Sequence, residues 1–308
     1  MRVILVGAGA VGGLLGAMLA RSGVDVAFVA RGATRDVLRS SGVRVRTPDE
    51  CFETGPFEAE ENPEMLAPPD TVFVTVKSWQ VKGIAPRLRS WSAPAVVPLQ
   101  NGVLAAEVLA ESLGDAPVLG GLCHVLASAD APGEVTVRGA PLRIALGERS
   151  GGSSPRVDML AAALRAAGVT VAIPADIRID LWEKLLFVGP MGLVGASTGL
   201  AAGEYRALAK SRGLLEGAMA EVARVAGAHG VRVSDDAIVN ALARLDALPP
   251  DARTSMQRDL EAGRQSELEE QVGVIVRMAE SAGIDAPIHR VLYAARAAQA
   301  AQAAAALP

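Results

Sequence analysis

Six residues near the start of the chain, Gly7-Ala8-Gly9-Ala10-Val11-Gly12, follow the spacing G-x-G-x-x-G. The pattern alone is weak; its setting is what narrows the fold. It follows the apolar run Val3-Ile4-Leu5-Val6 and precedes small and apolar residues at helical spacing over residues 10–22, which Gly23 ends. A buried strand, a tight turn and a helix in this order form the arrangement that receives a nucleotide pyrophosphate. Gly7 permits the turn, Gly9 lets the backbone approach the phosphates, and Gly12 lets the helix pack on the strand. The helix N-terminus adds free N–H groups and the positive end of its dipole. An α/β fold with an N-terminal Rossmann dinucleotide-binding domain is expected.

Strand-like runs recur over residues 25–29, 71–76 and 95–99 and alternate with helix-like ones. This alternation implies a parallel sheet with right-handed crossovers. Residues 120–147 read as more strand than helix, with Gly133 and Gly139 as turns. After Gly168-Val169-Thr170-Val171 the character changes. Helical patterns occupy residues 210–229, 235–247 and 265–282, and an Ala- and Gln-rich tail over residues 293–307 is a good helix former. A chain of 308 residues is long enough for two domains. The boundary is expected near Pro174 and Ala175, giving an NADP-binding Rossmann domain at residues 1–174 and an all-helical substrate domain at residues 175–308. Gly151-Gly152-Ser153-Ser154-Pro155 reads as an exposed loop.

Several function classes are disfavoured. With 30 basic and 34 acidic residues, the net charge of -4 leaves no electrostatic footprint for nucleic acid. Cys51 and Cys123 are not a disulfide framework, which suits a reducing, cytoplasmic setting. Cys51, Cys123, His124, His229 and His289 show no metal-ligand spacing, so no metal is expected. Residues 1–20 imitate a signal peptide, but their glycines follow the phosphate-loop spacing. Residues 185–203 carry no charge, yet Gly189, Pro190, Gly192, Gly195 and Gly199 interrupt them. A buried helix and turn is expected there rather than a membrane span.

Phe28-Val29-Ala30 ends the second strand without the acid that binds a ribose 2′-hydroxyl in NAD enzymes, and Arg31 follows. A guanidinium there suits the 2′-phosphate of NADP. Lys77 ends the strand over residues 71–76, and Asn101-Gly102 ends the next, at the edge where such sheets bind ligands. Each is also an ordinary strand-end residue. Trp182-Glu183-Lys184-Leu185-Leu186-Phe187 sets a lysine among apolar neighbours. Such a lysine either loses water and becomes a proton donor, or snorkels back to solvent. By its surroundings alone, Glu267 reads as part of a solvated helix face.

Six motifs in order resemble the ketopantoate reductase (2-dehydropantoate 2-reductase) family. They are the glycine loop, Val76-Lys77-Ser78-Trp79-Gln80, Leu99-Gln100-Asn101-Gly102, Trp182-Glu183-Lys184-Leu185, Ser255-Met256-Gln257-Arg258-Asp259 and Ser266-Glu267-Leu268. The resemblance implies a Rossmann domain, a helical domain and a substrate held in the cleft between them. It makes Lys184 the catalytic lysine and Glu267 the acid that assists it and holds substrate. It assigns substrate binding to Ser255 and Asn101, with Asn101 also at the nicotinamide, and cofactor binding to Arg31 and Lys77. It implies NADPH and a small 2-oxo acid substrate. From the charge balance and the interrupted apolar run, no nucleic-acid or membrane partner is expected, and an exposed apolar helix face in the second domain would suit a homodimer.

Where the family commonly carries asparagines, this chain has Val188, Gly192, Ala252 and Val272. If these line the pocket, the substrate is less polar than ketopantoate, because a pocket stripped of polar groups loses its preference for a polar ligand. Three readings follow: reduction of ketopantoate, reduction of a less polar 2-oxo acid or ketone, and an NADP-binding sensor without turnover.

Overall fold

The structure, a computed structural model, describes residues 1–305. By its internal contacts the chain forms two compact units, Met1–Gln100 with Leu104–Arg178, and Asn101–Val103 with the chain from Ile179 onward.

The first unit opens with β1 (Arg2–Val6), α1 (Ala10–Arg21), β2 (Asp25–Val29) and α2 (Gly32–Ser40). Next come β3 (Val43–Arg46), β4 (Cys51–Thr54), β5 (Glu58–Glu60), β6 (Thr71–Val74), α3 (Val81–Ile84), β7 (Ala95–Pro98) and α4 (Ala105–Leu113). It ends with β8 (Leu119–His124), β9 (Ala127–Ala131), β10 (Glu134–Val137), β11 (Arg143–Glu148), α5 (Pro155–Ala166) and β12 (Thr170–Ala172).

Five strands pair in parallel in the order β5-β2-β1-β6-β7. Every residue of β6 and β7 is buried, as strands covered on both faces must be, which is why their sequences are continuous apolar runs. The chain leaves β1 for β2 on one side and reaches β6 on the other. The carboxyl ends at that reversal are where open α/β sheets bind ligands. Strand β6 stops at Val74, short of the expected Val76, because Thr75 turns its hydroxyl onto the backbone oxygens of Gly7, at 2.7 Å, and Val6, at 3.2 Å.

A second sheet, β4-β3-β10-β9, buries Val43, Val45 and Val135 in one cluster with Leu14 and Leu15 of α1. A third, β12-β11-β8, is covered by α5 through Val157, Leu160 and Leu164. Gly133 and Gly139 take the left-handed turn conformations expected of them.

The second unit is helical: α6 (Ile177–Thr198, of which Ile177 and Arg178 count with the first unit), α7 (Ala202–Ala207), α8 (Ala209–Ala228), α9 (Ala237–Asp246), α10 (Ser255–Glu261), α11 (Val274–Ser281) and α12 (Pro287–Ala305). Residues 185–198 of the charge-free run form most of α6, which ends before Gly199, where φ is +72°. Among the described residues no helix is long and apolar enough to cross a membrane. The helix expected over residues 265–282 starts later: Gly263, at φ +64°, terminates α10, residues 264–267 are irregular, and a π turn (Glu269–Gly273) leads into α11. Of the expected tail helix, residues 306 and 307 lie outside the described residues.

A buried contact between a carboxylate and an imidazole ties α8 to α12. The Glu221 carboxylate accepts the backbone N–H of Ile288 at 2.8 Å and of His289 at 3.0 Å, and its Oε2 lies 2.7 Å from His289 Nδ1. Both side chains are buried. Burial alone pushes the Glu221 carboxyl up, but the His289 contact and the two N–H donors together bring it below its ordinary value. The stabilisation is therefore complete above the carboxyl's unfolded value, about 4.3, and is lost only as pH falls through the lower folded one. Glu221→Ala strands a buried histidine and two helix N–H groups, and should cost about 3 kcal/mol or more at neutral pH. Thermal unfolding checks this; the same change at Glu216, a half-buried partner of Arg212, should leave the melting temperature nearly unmoved.

Candidate active site

Between β1 and α1 the glycines do what only glycines can. Gly7 sits at φ +107°, and a Cβ there would lie 2.8 Å from the backbone nitrogen of Val76. A Cβ on Gly12 would fall 2.0 Å from the Gly7 oxygen and 2.5 Å from Thr75 Oγ1. Gly9 differs: no atom lies within 4 Å of where its Cβ would stand. The loop is packed on its protein side and open at Gly9, and α1 begins at Ala10 with no side chain capping it. Unclaimed N–H groups over an open glycine fit a dinucleotide pyrophosphate. Ala8 and Val11 pack against the core beneath.

Arg31 is exposed, two residues beyond the end of β2, and is the extended residue immediately before α2. Sequence reading found no acid at this strand end, yet the fold brings one alongside: Val29 pairs with Glu60 of β5. Arg39 holds that carboxylate at 2.7 Å, so its charge is met by a partner other than Arg31. Lys77 does not end a strand. It precedes a short helical turn over residues 78–80, where its N–H meets Gln80 Oε1 at 3.2 Å, and its ammonium lies 5.6 Å from the Trp79 ring centre. Gln100, missed in the sequence, donates through Nε2 to the oxygens of Val74 and Val76 at 2.9 Å each and so fixes the ends of β6 and β7.

The second unit gathers the other candidates. Lys184 lies on α6 and is 8% exposed, so it does not snorkel; its helical neighbours Leu185, Leu186 and Phe187 are buried too. Glu183 faces the other way and accepts the N–H of Ser234 at 2.9 Å. Glu267 is 5% exposed, not a solvated helix face. Its Oε2 accepts Asn101 Nδ2 at 3.1 Å and Gln271 Nε2 at 3.0 Å. Two amides thus meet one buried carboxylate oxygen and replace the hydrogen bonds it would make to water. Burial, with a smaller push from the Glu267 charge, raises the neighbouring Glu270 carboxyl above its ordinary range. Next to Asn101, Gly102 takes φ +96° and would set a Cβ 2.8 Å from the Glu270 oxygen, so no other residue fits. Ser255 is half-buried in the first turn of α10, behind Thr254, whose Oγ1 caps the helix at Gln257 N.

The family model for the ketopantoate reductase PanE/ApbA matches residues 3–151, and that for its C-terminal part matches residues 176–300. The chain belongs to the ketopantoate reductase family. A 2-dehydropantoate 2-reductase of Archaeoglobus fulgidus is 33% identical over 297 residues, spanning 94% of this chain and 95% of the relative. The crystal structure of a PanE/ApbA family ketopantoate reductase from Ralstonia eutropha JMP134 has a TM-score of 0.89 at 30% identity, covering 99% of this chain and 100% of that one. D-mandelate dehydrogenase, solved with NADH and anilino(oxo)acetate, has a TM-score of 0.90 at 18% identity, covering 99% of this chain and 100% of its own, a likeness of fold. The protein is thus an oxidoreductase of a dinucleotide-dependent family.

Against the ketopantoate reductases' usual asparagines, the structure separates the four departures. Val272 is fully buried in an apolar cluster with Leu193, Met256 and Leu268, and so does not line a pocket wall. Gly192 is filled from outside: a Cβ there would lie 2.5 Å from Met256 Cε and 2.8 Å from Thr254 Oγ1. Only Val188 and Ala252 are half-buried apolar residues able to face a ligand. Sequence reading would treat asparagine at 192 as a repair of substrate binding. The packing reverses that expectation. Gly192→Asn should displace the Thr254 cap and destabilise the protein by about 1–3 kcal/mol, and even Gly192→Ala should lose the roughly 1 kcal/mol that alanine normally gains in a helix. Chemical denaturation of both variants is the check.

Proposed function

We propose that the protein reduces the 2-keto group of ketopantoate (2-dehydropantoate) to pantoate with NADPH, a step of pantothenate biosynthesis. The observation that carries this reading is the buried Glu267 carboxylate held by two amides, in the same unit as a buried lysine. Neither charge belongs in an apolar interior without a task, which also disfavours a sensor without turnover. Lys184 donates a hydrogen bond to the keto oxygen, which polarises the carbonyl, and then gives its proton to the alkoxide. Glu267 compensates the lysine's charge and holds the substrate, with Ser255 and Asn101 as further hydrogen-bonding partners. Bound NADPH would supply the hydride for the keto carbon, which with the proton from Lys184 balances the conversion of C=O to CH–OH.

The glycine loop, residues 7–12, and Lys77 serve the cofactor in the unit that ends at Arg178. Arg31 selects NADP by meeting the 2′-phosphate, while Arg39 neutralises Glu60, which pairs with Val29 at the end of β2. The reading places the enzyme in the cytoplasm, where the thiols of exposed Cys51 and buried Cys123 stay reduced. A second reading, in which a less polar 2-oxo acid or ketone is the better substrate, now rests on Val188 and Ala252 alone.

Lys184→Ala should lower kcat for ketopantoate by about 10²–10⁴-fold and leave NADPH binding nearly intact, as loss of a general acid does. A variant keeping half its activity would remove Lys184 from the chemistry. For the cofactor, Arg31→Ala should weaken NADPH about tenfold or more, the worth of a charge-assisted contact, and barely change NADH. Equal losses in a fluorescence titration of both would refute NADP selection by Arg31.

A further inference from the structure

We propose that Gln271 is a positioning residue that works with Asn101 to orient the Glu267 carboxylate, a role that rests on the functional reading above. Gln271 follows Glu267 by four residues, and helical side chains lean toward the helix N-terminus, so the i+4 side chain reaches back over residue i. Here it does: Gln271 Nε2 donates to Glu267 Oε2 at 3.0 Å, and the backbone N–H of Gln271 donates to the Glu267 oxygen at 2.9 Å. Gln271 is 2% exposed, and Val272, Val274 and Ile275 after it are buried and apolar. An amide set in such a run costs stability unless it is hydrogen-bonded, and Glu267 is where its N–H goes.

The two amides constrain the carboxylate differently. Asn101 arrives from a loop 166 residues away in sequence, whereas Gln271 belongs to the π turn that Glu267 itself leads into. Turns of this kind recur at functional sites because they re-aim side chains within a helix. Both amides bind Oε2, which fixes the carboxylate plane and turns Oε1 away from them. A carboxylate held this way meets its partner in one orientation, and freedom to rotate lowers turnover rather than cofactor affinity.

The test uses the full-length protein with NADPH and ketopantoate. Gln271→Met keeps the length and apolar packing and removes the donor. It should lower kcat about tenfold or more, with the KM for NADPH unchanged and the melting transition retained. Gln271→Glu keeps the size but turns an acceptor toward Glu267. It should lose more activity near pH 8 and recover part of it near pH 6, as a protonated carboxyl takes over the amide's donor role. Wild-type kcat in Gln271→Met, a wild-type pH profile in Gln271→Glu, or loss of the folded state in both would each overturn the role. If the unmodified protein reduces no 2-oxo acid, the functional reading fails and this role with it. If the unmodified protein is active and Gln271→Met matches it, only this role fails.

Discussion

A carboxylate buried in a helical core is the constraint on which the second unit depends. Without hydrogen-bond partners, a Glu267 carboxylate buried there would cost several kcal/mol. Hydrogen bonds from Asn101 and Gln271 offset that cost, and each needs its own local architecture. Asn101 requires the tight turn at Gly102, whose missing side chain makes room for the Glu270 oxygen. Gln271 requires the π turn and its buried surroundings. Val103, two residues beyond Asn101, is buried in the same apolar cluster as Trp182 and Leu186 of α6, so the loop that carries the amide and the helix that carries Lys184 share one core.

Small residues do comparable work throughout. Aromatics make up only 3% of the chain, and close approach substitutes for large side chains. Phe28 fills the space that a side chain on Gly16 would need, so α1 can sit close to the sheet. Along α6, Gly189 lets the Gln271 oxygen come within 3.0 Å of where its Cβ would be, and Gly195 admits Gln257. Gln257 in turn donates to the Leu200 oxygen at 2.9 Å, which closes the end of α6. The glycines that make residues 185–203 a poor membrane span are therefore the ones that let α10 and the π turn pack on that helix.

The first unit was the more legible of the two in sequence, because a strand buried on both faces writes itself as a continuous apolar run and a phosphate loop writes itself in glycines. Strands β3 to β5 were not foreseen: β3 alternates valine with arginine, and β4 and β5 are short and rich in charge, so their pairing is set by neighbours distant in sequence. Among the site candidates, Lys184 was marked by its apolar flank. Glu267 was not, since it sits among charged residues and its burial comes from tertiary contacts. Gln271 carried one usable signal, an amide inside an apolar run, four residues from an acid. The four missing asparagines illustrate the opposite failure: aligned by motif they suggested one altered pocket, but Gly192 and Val272 are packing residues.

Hydride transfer itself is the central claim, and isotope tracing measures it without relying on any variant. The protein would be incubated with ketopantoate and NADPH deuterated at both C4 positions, and the product analysed by NMR and mass spectrometry. The account predicts pantoate carrying one deuterium, at C2, formed in step with NADPH oxidation. Pantoate without deuterium at C2, or no consumption of NADPH with ketopantoate present, would contradict it.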